Sequence, residues 1–137
     1  FGDAPGTIVL LSKTESCFRL AEMLLYAEKD SIKIIDTMAR SALKEMGNIL
    51  VGSYLTALSD FSGINMIEST PVLMISNVEK IVDKSTMIDK KAEYVLVVET
   101  KLKVDHESFV EDILLILDPE SFRKIFKSIV KKVGLKE

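Results

Sequence analysis

The sequence predicts an α+β fold in which one long helix packs, with others, against a mainly antiparallel sheet. Two observations carry the class. Residues 94–104 and 110–117 are strand-like runs rich in valine, leucine and isoleucine, close enough in the chain to pair. Helical periodicity runs from about residue 32 to residue 61. A third observation bears on symmetry. Residues 7–25 and 112–130 both read strand, polar cap, Glu-Ser, Phe-Arg, apolar helix, and Glu15-Ser-Cys-Phe18-Arg19 parallels Glu120-Ser-Phe122-Arg123 with one residue inserted. Two such units suit a duplicated, pseudo-symmetric fold; coincidence between two ordinary strand–helix units is the alternative.

Taken in order, Phe1 to Gly6 reads as the close of a strand followed by a tight turn, so the sequence is expected to begin inside a hairpin, either trimmed upstream or cut from a longer protein. Residues 7–11 form a short β-branched run, a buried strand. An edge exposed there invites pairing with a second copy, so either a homo-oligomer or a compensating cover of that edge is expected. Ser12 to Glu15 has the spacing of a capping box, opening a helix that should bury Phe18, Ala21, Leu24 and Leu25 and end near Glu28. Asp30 and Ser31 are placed to cap the long helix, 32–61, which Ser62-Gly63 closes. Short strands are expected at 64–67 and 72–75, with Pro71 at the start of the second, where its missing N–H is tolerated. Asn77 can cap a short helix to about Asp83. The polar stretch Asp105-His106-Glu107-Ser108 joins the two clear strands, and Asp118-Pro119 starts a last helix with Gly134 just past its end.

The 137 residues suit one domain, 47% hydrophobic and 28% charged. A net charge of −3 argues against broad nucleic-acid binding, which needs a basic surface to displace counterions. The basic residues from Arg123 to Lys136 read as a solvated helix face with cations at its C-terminal end. Cys17 stands alone among apolar neighbours, a small core hydrophobe, and His106 is alone in a charged turn. Neither can build a metal site, and no nucleophile–base pair, compact carboxylate cluster or glycine-rich phosphate loop is present. No run approaches the ~20 apolar residues that cross a bilayer and no signal peptide is visible, which makes the cytoplasm the natural compartment and leaves no role for a membrane.

One spacing stands out. Ser41 is followed by Glu45, Asn48 and, after 22 intervening residues, Pro71. On a helix Glu45 lies about 40° and Asn48 about 20° from Ser41, on opposite sides of it, so all three project from one narrow stripe. Ala39, Ala42, Leu43, Met46, Leu50, Ala57 and Phe61 fall mainly on the other side. Gly52, about 20° from Ser41, shares the stripe and permits close approach, either by a partner's backbone or by a neighbouring element of the same fold. Taken singly, each residue has a bland reading: Glu45 as a solvated helix residue, Asn48 as a cap for an adjacent loop, Ser41 bonding back to the Thr37 carbonyl, Pro71 as a turn constraint.

This arrangement, down to the gap before the proline, resembles the active-site signature of the CheC family of chemotaxis phosphatases, and the string from Arg40 to Phe61 is similar to the long helix of that family's second half. The resemblance implies a single CheC-like domain that hydrolyses the aspartyl phosphate of the response regulator CheY. Asn48 matches the water-orienting residue and Glu45 the acid that pairs with the regulator's active-site lysine, with Ser41 and Pro71 in support. No cofactor of its own is implied; Mg2+ is expected in the phosphorylated partner. The receptor deamidase CheD is a further partner that the resemblance suggests. A non-catalytic adaptor, binding CheD or belonging to the flagellar switch, is the competing reading, and the presence of both Glu45 and Asn48 favours the enzyme. The family's second copy of the motif has no counterpart in this sequence.

Overall fold

Residues 3–81, 83 and 94–134 are described by this computed structural model. They form, in order, β1 (Gly6–Leu11), α1 (Thr14–Leu24), α2 (Thr37–Ser62), β2 (Tyr94–Val104), β3 (Glu107–Leu117) and α3 (Pro119–Val133). The class is α+β. The strands make an antiparallel sheet in the order β1-β3-β2, with Ile116 opposite Thr7 on one side and Val95 on the other. The unbroken apolar run Ile113–Leu117 makes β3 the central strand, buried along that whole stretch. β2 alternates instead, turning Leu96, Val98, Thr100, Leu102 and Val104 inward while Glu99, Lys101 and Lys103 stay exposed, as suits an edge.

The two strand–helix units that echo each other in sequence sit side by side. β1 and β3 are antiparallel neighbours and each leads into a helix, α1 or α3. The long helix α2 bridges two apolar clusters. Its first half packs Ala39 and Leu43 against Leu20 and Ala21 of α1 and Phe109 of β3. Farther along, Leu58 joins Leu115, Leu117 and Ile125 of α3. Burying a leucine such as Leu43 stabilises by about 1.5–3 kcal/mol. Phe122 anchors α3 over the sheet, stacked on Tyr94 with ring centroids 4.4 Å apart.

Several expected boundaries shift, each for a visible reason. Helix α1 begins at Thr14 with Lys13 as its cap residue and no side-chain cap bond, so the Ser12 capping box does not form. Ser12 faces inward near Cys17 and Glu111 instead. The buried residues of α1 are Leu20, Ala21 and Glu22, whereas Leu24 is exposed and Phe18 only half-buried. Helix α2 starts at Thr37, not residue 32, because its cap is Asp36, whose carboxylate accepts from the Ala39 N–H at 2.9 Å. Upstream, Tyr26 and Asp30 hold left-handed backbone, and the Ile32 N–H is given to the buried Glu22 carboxylate at 3.1 Å rather than to a helix. At its other end α2 closes on Gly63 at φ 70°.

Residues 64–67 and 72–75 are not strands; apart from an isolated bridge at Met66 they are irregular. Their apolar side chains pack into the core without a ladder: Ile64 and Met66 against one cluster, Leu73 against the other. Asn77 caps as expected, its side chain accepting from the Lys80 N–H at 3.0 Å, and the end of that helix lies outside the described residues. β3 starts at Glu107, so the turn shrinks to Asp105 and His106, with Asp105 at φ 52°. Asp118 and Gly134 cap α3 at its two ends.

Candidate functional site

Helix α2 is continuous through the motif, because Asp36 satisfies its first turn and Leu43 and Leu55 are buried against the rest of the fold. Ser41 and Glu45 are exposed on the outer face, and Asn48 is half-buried. From Ser41 to Asn48 the stripe rises about 10 Å. Ile49 is 59% exposed, and Ala57 and Phe61, on the side away from Ser41, are exposed as well, contrary to the simple division expected of the helix.

A shallow groove of about 640 Å3 runs along α2 from Asn48 to Asp60. Asn48, Ile49, Gly52, Ser53 and Asp60 line its helix side, and Glu68 lines it from the segment beyond. Ser41, Glu45 and Pro71 do not line it. The structure therefore brings Asn48 and Gly52 together in the groove, leaves Glu45 and Ser41 up the same helix, and sets Pro71 half-buried in irregular chain.

What approaches Gly52 is a side chain of this same fold. A Cβ built at Gly52 would stand 2.9 Å from Glu68 Oε1 and 3.3 Å from Oε2. Glu68 Oε2 is shielded from solvent, and among the described residues no group donates to it. Nothing in the sequence singles out Glu68. A glycine on the stripe signals an occupant, but nothing local names a residue beyond the end of the helix.

The segment that carries Glu68 is tied down on two sides. Ser59 donates its hydroxyl to the Ile64 carbonyl and accepts from the Met66 N–H at 3.1 Å. The Ile64 N–H reaches the Ser62 hydroxyl at 3.2 Å. Asp3 and Asn65 exchange bonds: the Asp3 N–H to the Asn65 carbonyl at 2.9 Å, the Asn65 N–H to the Asp3 carboxylate at 3.3 Å.

The other side of α2 is chemically different. A cavity of about 270 Å3 between α2 and the sheet is lined by Leu10, Leu50, Tyr54, Leu102, Ile113 and the Glu111 carboxyl. Burial pushes both the Tyr54 phenol and the Glu111 carboxyl up from their ordinary values. The Cys17 thiol, half-buried nearby, is also raised by burial, which keeps it a poor nucleophile. Among the described residues no three His, Cys, Asp or Glu side chains gather to hold a metal, and no helix is long and apolar enough to cross a membrane.

With respect to chemistry, an amide beside an open groove can accept from a water and donate to an oxyanion at once. The carboxylates at Glu45, Asp60 and Glu68 would repel a free phosphate, and they suit a partner that brings its own cations.

Comparison with known proteins agrees with the motif. Residues 38–75 match the model of the CheC-like family, a span that holds Ser41, Glu45, Asn48, Gly52, Glu68 and Pro71. A protein of Bacillus subtilis (strain 168), "CheY-P phosphatase CheC", is 31% identical over 97 residues, 69% of this chain. The match spans 46% of that relative, so the chain corresponds to about half of it. The signature on α2, the family match over it and the identity beyond it together make this chain a member of the CheC-like family.

Proposed function

We propose that this chain accelerates hydrolysis of the aspartyl phosphate on a CheY-type response regulator. The observation that carries the reading is the placement of Asn48 at the head of an open groove, on an unbroken helix with Glu45 exposed one turn before it. An aspartyl phosphate is already an activated mixed anhydride. The regulator's own Mg2+ and lysine neutralise the phosphoryl oxygens. What remains is to hold one water in line with the departing carboxylate. In a loose phosphoryl-transfer transition state this needs orientation more than a strong base.

Asn48 supplies the orientation: its C=O accepts from the attacking water while its NH2 donates to a phosphoryl oxygen. The water oxygen bonds to phosphorus, the bond to the aspartyl oxygen breaks to leave a carboxylate, and both water protons depart with the inorganic phosphate. Glu45 pairs with the regulator's lysine and fixes the approach. The test is release of inorganic phosphate from a phosphorylated receiver domain, with and without the protein. A rate that rises with protein concentration supports the enzyme. Binding of the phosphorylated receiver with no acceleration supports a non-catalytic adaptor instead.

A further inference from the structure

The groove holds one group that this mechanism leaves unused. Glu68 lies over Gly52, one helical turn from Asn48, with Oε2 shielded from solvent and no donor among the described residues. A carboxylate with one oxygen shielded and unpaired costs free energy in the isolated fold, and a cation that settles against the group recovers part of that cost. Its backbone is not free to drift away, because Ser59, Ser62 and Asp3 fix residues 64–66 just before it. Gly52 is what admits it: a methyl group there would meet the carboxylate at 2.9 Å and push it aside.

We propose that Glu68 is a docking residue, a preset acceptor for a cationic side chain on the surface of the phosphorylated protein partner, which sets that partner's phosphoryl group over Asn48. The inference rests on the phosphatase reading for its partner and adds a second anchor to it. Glu45 and Glu68 then flank Asn48 along α2, so the partner is held on both sides of the reacting centre and cannot slide along the helix. The charge excludes the phosphoryl group itself from the Glu68 end of the groove.

The experiment compares steady-state phosphate release from a phosphorylated receiver domain by the parent, Glu68→Gln, Gly52→Ala and the double variant Gly52→Ala/Glu68→Gln. Glu68→Gln keeps the shape and removes the charge; KM is expected to rise roughly tenfold, with kcat nearly unchanged and a weaker dependence of KM on salt. Gly52→Ala, which keeps the glutamate but displaces it, should give the same KM defect, and the double variant should be no worse than Glu68→Gln alone. A KM for Glu68→Gln within twofold of the parent, or two defects that multiply, overturns the proposal.

Failure of the phosphatase reading is distinguishable. If the parent releases no phosphate, titration with the receiver domain bearing beryllofluoride, an aspartyl-phosphate mimic, still reads the docking role. A roughly tenfold loss of affinity in Glu68→Gln upholds it, and equal affinities overturn it. A parent that does not bind the mimic overturns both.

Discussion

Arg19 on α1 grips Glu107, the first residue of β3, with its Nε 2.8 Å from one carboxylate oxygen and 3.0 Å from the other. The same guanidinium reaches Glu22 at 3.4 Å, and Glu22 in turn accepts from the Ile32 N–H, so one cation links α1, the hairpin and the lead into α2. The Arg19 hydrogen bonds hold Glu107 below the usual carboxylate range. A carboxyl with a lowered pKa in the folded state contributes stability that is present above its unfolded pKa and lost as the pH falls through its folded one. Urea unfolding between pH 7 and pH 3 should show this loss. Arg19→Ala should lower the midpoint at pH 7 and flatten the acid limb; an unchanged limb would mean the pair contributes nothing.

Glu111 has the opposite sign. Burial pushes its carboxyl up, and among the described residues neither oxygen has a donor in hydrogen-bonding geometry, although Ser12 faces it. Its raised pKa gives stability that is full below the unfolded pKa and lost as the pH rises through the folded one. Glu111→Gln should remove that loss and raise stability at pH 7 by on the order of 1 kcal/mol. Denaturation curves at pH 4 and pH 7 decide it: the parent should lose more than the variant between them.

Asn48→Ala should slow phosphate release by roughly 10²-fold, about 3 kcal/mol on the barrier, while binding of the phosphorylated regulator is nearly intact. Glu45→Ala should weaken both turnover and affinity, since on the proposed reading it deletes a charge that meets the partner. Neither should shift the thermal midpoint much, because Glu45 is exposed and Asn48 half-buried beside an open groove. Full turnover in Asn48→Ala would remove the water-orienting role.

Helix α2 offers two stability levers of opposite sign. Asp36→Ala deletes the cap bond to Ala39 and should cost about 1 kcal/mol. Gly47→Ala should gain up to about 1 kcal/mol, since the nearest atom to the new methyl, Leu10 Cδ2, stands at a comfortable 3.9 Å. Thermal or urea melts of the two variants, with helical content read by circular dichroism, check both.

Where the controlling interactions are local, the sequence was legible. Asp118-Pro119, Ser62-Gly63 and the valine-rich β2 act within a few residues of themselves, and their positions could be read directly. The start of α2 could not, because Glu22 captures the Ile32 N–H from another helix and Asp36 takes over the cap. The apolar runs after α2 suggested strands, yet Met66 and Leu73 pack into the core with no strand ladder behind them. The stripe of Ser41, Glu45 and Asn48 was visible from helical spacing alone. Glu68 was not, since its seat over Gly52 depends on how the chain returns along α2.

The register of β1 has a consequence for biogenesis. Gly6 pairs with Leu117 and Leu11 with Asp112, so every rung of this ladder joins residues about a hundred positions apart. At ribosomal elongation rates of roughly 5–20 residues per second, β1 waits roughly 5–20 s for the strand that will hold it. During that interval Ile8, Val9, Leu10 and Leu11 form an apolar segment with unsatisfied backbone groups. Helices α1 and α2 can form meanwhile from nearby contacts, but the sheet cannot begin until β3 is made. Nascent-chain burden on holdase chaperones should therefore persist until β3 has left the exit tunnel and fall once it pairs with β1.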